Sequence, residues 1–242
     1  MRFVLLISVL LFVHGCTDGA ESSAPRAADA ILAISWQPAF CETHSRKKEC
    51  RSQTSSRYDA SHFALHGLWP QPRSKSYCGV SEKDIQRDKR GKWMQISRLE
   101  LSEDLRTELQ RVMPGYQSGL QRHEWIKHGS CYSDMPEKYF ADSLVLMEKL
   151  NASPLRELFA GNIGKHITTK QIRAAMDESF GAGSGLRVRV SCSDDSGRRL
   201  ISELTLALAG EIGADVGKLL LSALPDDKKP CPGGIVDPVG QQ

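Results

Sequence analysis

Four ionisable side chains crowd into six residues of this chain: His123, Glu124, Lys127 and His128, all within the run HEWIKHGSC from His123 to Cys131. On a helix turning about 100° per residue, His123 and Lys127 stack in one column and Glu124 and His128 in the next. The four then share one face, and Trp125, Ile126 and Gly129 fall on the other, where a core can take them. Glu124 and His128 in one column can share a proton, and Lys127 with a protonated His123 makes a positive patch. Such a set suits a trigonal-bipyramidal phosphorus centre, where catalysis is positioning plus charge stabilisation. A zinc-protease helix uses similar residues, but its histidines stand four apart on one face. Here they stand five apart, and Lys127 would set a cation beside the metal, so no metal is expected. A surface helix merely rich in charge is the plainer alternative. Mixed signs on one face, with an aromatic and a cysteine behind them, weigh against it.

A phosphorus centre needs a second proton-transfer group at the far end of the reaction axis. HFALHGLWPQ offers one in His66, read at the end of a strand. Gly67 admits a close approach of backbone or ligand, and Trp69-Pro70 forms a rigid aromatic platform. Alone on a strand, a histidine is more often structural; its pairing with HEWIKHG makes it a candidate.

These residues need elements to hold them. DAILAISW and SHFALHGLWP read as strands, with QPAF as a break after the first and SRKKECR in a solvated loop between them. Residues 81–98 are charged and irregular. LSEDLRTELQRVMP, MPEKYFADSLVLMEKL, SPLRELFA and TTKQIRAAMDESFG read as helices, with Ser102 as a cap, Pro154 in a first turn and Gly181 as a stop. GLRVRVSC and RLISELTLAL alternate as strands around SDDSGR, and the Pro/Gly-rich tail is tied down through Cys231. Strands and helices interleave without regular βαβ spacing, so the expected class is α+β, a central and mainly antiparallel sheet with packed helices.

The chain's 242 residues suit one domain. Charged residues make up 25% and apolar ones 40%, which excludes fibrous and disordered classes. A net charge of +3 permits a polyanionic partner without requiring one. Residues 1–15 read as a secretory signal with cleavage before Cys16. Lipidation of Cys16, in the manner of a bacterial lipobox, is open; His14 departs from the usual small residue. Residues 16–28 read as a flexible tether and 29–242 as the single domain, with no transmembrane segment in the mature chain. Beyond Cys16, six cysteines remain, an even number that suggests three disulfides in an exported chain.

HGLWP (66–70) and HEWIKHG (123–129) resemble the two active-site segments of the ribonuclease T2 family, in the same order. WQPAFC (36–41) is similar to the family's first-strand segment and RVSC to a late strand, so the resemblance covers most of the mature chain, most like the bacterial branch. It implies a disulfide-stapled α+β domain and an endoribonuclease needing no cofactor. The 2′-hydroxyl would attack phosphorus to leave a 2′,3′-cyclic phosphate, with a 3′-phosphate as the later product. By that resemblance His128 is the general base, His66 the general acid, Glu124 and Lys127 stabilise the phosphorane, and His123 binds phosphate. Trp69 stacks a base, and Tyr77 offers a second stacking surface. The partner is single-stranded RNA rather than DNA, because the 2′-hydroxyl reacts and unpaired bases can stack. Bridging Cys78 to Cys131 would join the two segments, and the family pattern adds Cys41–Cys50 and Cys192–Cys231. Gln71 and Leu120 depart from residues that help select bases in some relatives, so no base preference is inferred from them; low base specificity is expected. Gln37 is a candidate for a second base pocket and Trp36 for packing, while His44, His62 and His166 read as structural or surface. A periplasmic or extracellular monomer is expected. The rivals are an RNA-binding protein of the same fold without catalysis, and a metal-dependent hydrolase.

Overall fold

The computed structural model describes residues 24–241; the expected secretory signal, Cys16 and the first part of the expected tether lie outside them. Among the described residues the strands are β1 (Ala30–Ser35), β2 (Ala64–Pro70), β3 (His166–Thr168), β4 (Val188–Asp195), β5 (Arg198–Leu208) and β6 (Gly233–Ile235). They join in the order β2-β1-β5-β6-β3, with β4 on the other edge of β5. Leu204 of β5 pairs with Ile34 of β1 on one side and Val190 of β4 on the other. Every pairing of these strands is antiparallel except the parallel contact of Leu200 with Ile235. The sheet is therefore open and mixed, and mainly antiparallel as expected.

The helices are α1 (Gln37–Thr43), α2 (Lys48–Arg51), α3 (Glu82–Lys89), α4 (Glu103–Val112), α5 (Leu120–Lys127), α6 (Pro136–Asn151), α7 (Pro154–Ala160), α8 (Thr169–Phe180) and α9 (Val216–Leu221). Four differences from the sequence reading have local causes. QPAF opens α1 instead of breaking the chain, because Pro38 sits in the first turn, where its missing N–H costs nothing. Part of SRKKECR forms the one-turn α2. Residues 82–89 form α3 rather than irregular chain: the Ser81 hydroxyl accepts from the Asp84 N–H, with acids in the first turn and bases in the last. The end of the expected tether is pinned, since the Arg26 N–H donates to Ser222 and its carbonyl accepts from Leu224.

The core lies between the sheet and the helices. α6 buries Tyr139, Phe140, Ser143, Leu146, Met147 and Leu150, a stripe at helical spacing. Trp36, Phe63 and Phe159 pack edge to face and tilted at centroid distances of 4.7–5.8 Å. The three disulfides are Cys41–Cys50, Cys78–Cys131 and Cys192–Cys231, the pairing implied by the family resemblance.

Two features aim β2. Ala33 pairs with Gly67 and Ile34 with Leu65, so His66 is an extra residue in a bulge, inside the strand rather than at its end. A bulge re-aims the side chain it carries. The outer edge of β2 is completed by two side chains of α6. Asn151 accepts from the Phe63 N–H at 2.8 Å and donates to its carbonyl at 3.1 Å. The Tyr139 hydroxyl accepts from the Leu68 N–H at 3.1 Å and donates to its carbonyl at 2.9 Å. Both side chains are buried, so removing either strands two backbone groups away from water. Asn151→Ala is expected to cost about 2–4 kcal/mol and Tyr139→Phe about 1–3 kcal/mol in urea unfolding. Midpoints equal to wild type would show that these groups find other partners.

Candidate active site

Glu124 lies at the centre, projecting from α5 with no exposed surface. Its Oε2 accepts the indole N–H of Trp69 at 2.9 Å. Its Oε1 lies 3.7 Å from His66 Nε2 and 3.6 Å from His123 Nε2, without a hydrogen bond among the described residues. Gly67 makes room for this carboxylate, since a Cβ there would sit 1.9 Å from Oε2 and 2.7 Å from Trp69 Nε1. The helical phasing thus brings the four groups together, with Glu124 beneath the others rather than beside them in solvent. Burial holds the Glu124 pKa above its ordinary value, against the pull of His66, His123, the Trp69 hydrogen bond and Lys127.

Each histidine has its own surroundings. The His66 Nδ1–H points at Glu203 Oε2, 2.7 Å away on β5. Burial pulls the His66 pKa down, but the Glu203 hydrogen bond and the charges of Glu124 and Glu203 outweigh it, and the pKa is raised. His123 Nδ1 lies 2.6 Å from Asp88 Oδ1 on α3, and its ring stacks on Trp93 at 4.7 Å. Asp88 in turn accepts from the Tyr77 hydroxyl at 2.7 Å. Burial acts to raise the Asp88 pKa, yet the hydrogen bonds from His123 and Tyr77 prevail and lower it. His128 follows the last residue of α5, its N–H on the Glu124 carbonyl. Burial, then the charges of Lys127, His123 and His66, push its pKa down to about 3. The Trp69 ring lies between the outer pair, 5.2 Å from His66 and 5.6 Å from His128 between centroids.

The two segments are joined covalently and by backbone. Cys78 bonds Cys131, in the 3₁₀ turn Gly129–Cys131, and beside it the Tyr77 N–H donates to the Lys127 carbonyl at 3.0 Å. This bridge spans 53 residues, for which the chain-entropy account gives about 4 kcal/mol. Next to His66 opens a cleft of about 460 Å³. Glu203 and Gln37 line it with Phe40, His44, Lys47 and Trp93, and the Phe40 and His44 rings are stacked at 4.2 Å. Trp36 is buried instead, its indole N–H on the Asp237 carbonyl. His62 stacks on Tyr58, and His166 is exposed at the start of strand β3.

The expected residues His66, Trp69, Tyr77, His123, Glu124, Lys127 and His128 therefore gather around one point. Both aromatics expected to stack bases also hold carboxylates, Trp69 on Glu124 and Tyr77 on Asp88. Sequence reasoning missed Glu203, Asp88, Trp93 and the Phe40–His44 pair. For Asp88 a signal existed in the Ser81-x-x-Asp84 cap, which starts the helix that carries it. Glu203 gave none, because it meets His66 only across the sheet.

Comparison with known proteins places the chain. The sequence profile of the ribonuclease T2 family matches residues 29–215, and the chain belongs to that family. It is 28% identical over 215 residues to ribonuclease I of Escherichia coli (strain K12), covering 79% of this chain and 80% of that protein. To ribonuclease 1 of Arabidopsis thaliana it is 28% identical over 233 residues, covering 87% and 94%. Among solved structures, Japanese pear S3-RNase gives a TM-score of 0.56 at 18% identity, covering 85% of this chain and 98% of that one. RNase NT in complex with 5′-AMP gives 0.53 at 18%, covering 88% and 99%. At that identity the likeness establishes the fold.

The opposed surroundings of the two histidines can be read by NMR titration. The His128 imidazole should stay neutral down to about pH 3, while His66 titrates above an ordinary histidine. Glu203→Gln removes the carboxylate charge behind the hydrogen bond that raises His66, so the His66 titration should move to lower pH. An unmoved His66 would mean that Glu203 does not set its protonation.

Proposed function

We propose that this chain is an endoribonuclease that cleaves single-stranded RNA, without a metal ion, by attack of the ribose 2′-hydroxyl on the adjacent phosphorus. The observation that carries the reading is the pair of histidines His66 and His128, set 5.2 Å and 5.6 Å from the Trp69 ring and with opposite protonation preferences. His128 is favoured neutral, so its ring can take the 2′-hydroxyl proton as the new O–P bond forms. His66 is favoured protonated, so it can give its proton to the 5′-oxygen as the old O–P bond breaks. The products are a 2′,3′-cyclic phosphate and a free 5′-hydroxyl. In the second stage water replaces the leaving nucleoside, the two histidines exchange roles, and a 3′-phosphate results.

Lys127 and His123 supply positive charge to the phosphorane oxygens, and Glu124 holds the two imidazoles on either side of its Oε1 in register with them. The cleft beside His66 is on the leaving-group side, and the stacked Phe40–His44 pair offers a surface for an unpaired base. Selectivity for RNA follows from using the 2′-hydroxyl as nucleophile. Three disulfides and the signal-like residues 1–15 support work in an oxidising periplasmic or extracellular space. Among the described residues no helix is long and apolar enough to cross a membrane.

Digestion of RNA in chelator tests this directly. Wild type should remain active, and His66→Ala and His128→Ala should each lose about 10²–10⁴-fold in kcat/KM. Inert wild type, or a near-normal rate in either variant, would overturn the assignment. The base must be neutral, so the acid limb of the kcat/KM profile should rise through about pH 3. The acid must be protonated, so the alkaline limb should fall through the raised pKa of His66, and Glu203→Gln should draw that limb to lower pH. Gly67→Ala drives a methyl into the Glu124 carboxylate and should reduce activity at least as much as a proton-transfer variant, about 10²-fold or more.

A further inference from the structure

Residues 82–98 carry six Lys and Arg side chains against three acidic ones, an excess as large as the +3 of the whole chain. The rest of the molecule is therefore balanced in charge, and this stretch holds the imbalance. α3 turns the buried Asp88 inward to His123. Outside, Lys83, Arg87, Arg90 and Lys92 line one shallow recess of about 230 Å³ together with two glutamines. The acids on this helix are already engaged, Asp84 with Arg87 at 2.8 Å and Glu82 with Gln86 at 2.6 Å. Lys83, Arg90 and Lys92 form no ion pair among the described residues and are exposed.

The recess is held at a fixed place beside the catalytic centre. Lys92 precedes Trp93, whose ring stacks on His123 at 4.7 Å and has the Lys47 ammonium 5.0 Å from its centroid. The buried Arg122 of α5 donates to the carbonyls of Met94 at 2.9 Å and Ile96 at 2.7 Å, clamping this stretch to the helix that carries Glu124. Cations alternating with an aromatic ring and the exposed Met94 make a track suited to a single-stranded sugar–phosphate backbone with unpaired bases.

We infer that the outer face of α3 and the turn after it form an accessory surface that binds the RNA strand beyond the nucleotides being cleaved. This rests on the ribonuclease reading and adds to it a preference for long substrates. Binding there releases counterions from the strand, so it is salt-dependent, whereas a dinucleotide is too short to reach it.

The test compares wild type with Lys83→Ala/Arg90→Ala/Lys92→Ala on long single-stranded RNA and on a dinucleoside monophosphate over a range of salt. On long RNA the triple variant should raise KM about tenfold at low salt, and the slope of log kcat/KM against log salt should flatten by about 2, at about 0.7 per phosphate contact. Dinucleotide cleavage should be unchanged, and Lys83→Arg/Lys92→Arg should behave as wild type on both substrates. An unaltered triple variant on long RNA, or equal losses on both substrates, would overturn the accessory surface. Wild type that cleaves neither substrate would instead sink the ribonuclease reading on which it rests.

Discussion

A carboxylate with no contact with water governs this site. Burying an ionisable group is costly unless its surroundings answer its charge. Glu124 is answered by the Trp69 N–H on one oxygen and by two imidazole edges near the other. Those partners come from different parts of the chain, Trp69 and His66 from β2 and His123 from α5. The carboxylate is thus the point at which the two segments meet. The absence of a side chain at Gly67, the bulge at His66 and the Cys78–Cys131 bridge are all conditions for that meeting.

From this centre the histidines diverge because their outer partners differ. His66 has a second carboxylate, Glu203, on its far nitrogen. His128 has only the more distant field of Asp88 in its favour, against burial and three neighbouring cationic groups. The result is one imidazole biased towards its proton and one biased away from it. Groups this close titrate as a set, so a change at one will be felt at the others. His123 stands between Glu124 and Asp88 with its ring on Trp93, which fixes its orientation from three sides.

Much of this was legible in the order of residues. Helical phasing brought His123, Glu124, Lys127 and His128 together, and the two segments carried the family resemblance along with the disulfide pairing. What escaped notice did so for physical reasons. Glu203 sits on β5, separated from β2 by β1, so its contact with His66 depends on sheet order and on a bulge, neither of which leaves a mark in local sequence. α3 has few apolar residues and buries only Asp88, so no apolar stripe announced it and its cap was the sole cue. Trp69 was legible as an aromatic platform, but its N–H has a partner that no pattern in HGLWP could name. Phasing also put Glu124 on one face with His123 while leaving its depth unseen, because depth depends on how β2 packs against α5.

The side chains that finish the outer edge of β2 bear on how the molecule behaves in company. An edge strand ordinarily offers a row of unsatisfied N–H and C=O groups that another chain can join, the first step of strand exchange and fibril growth. Here Asn151 and Tyr139 each occupy both groups of one residue, at Phe63 and Leu68, near the two ends of that row. An incoming strand would have to displace side chains rooted in a core helix before it could add a single rung. The same two anchors fix the strand lengthwise, since a slip by one residue would break four hydrogen bonds at once. The strand that carries His66 is thereby closed to foreign chains and to its own misregistered forms.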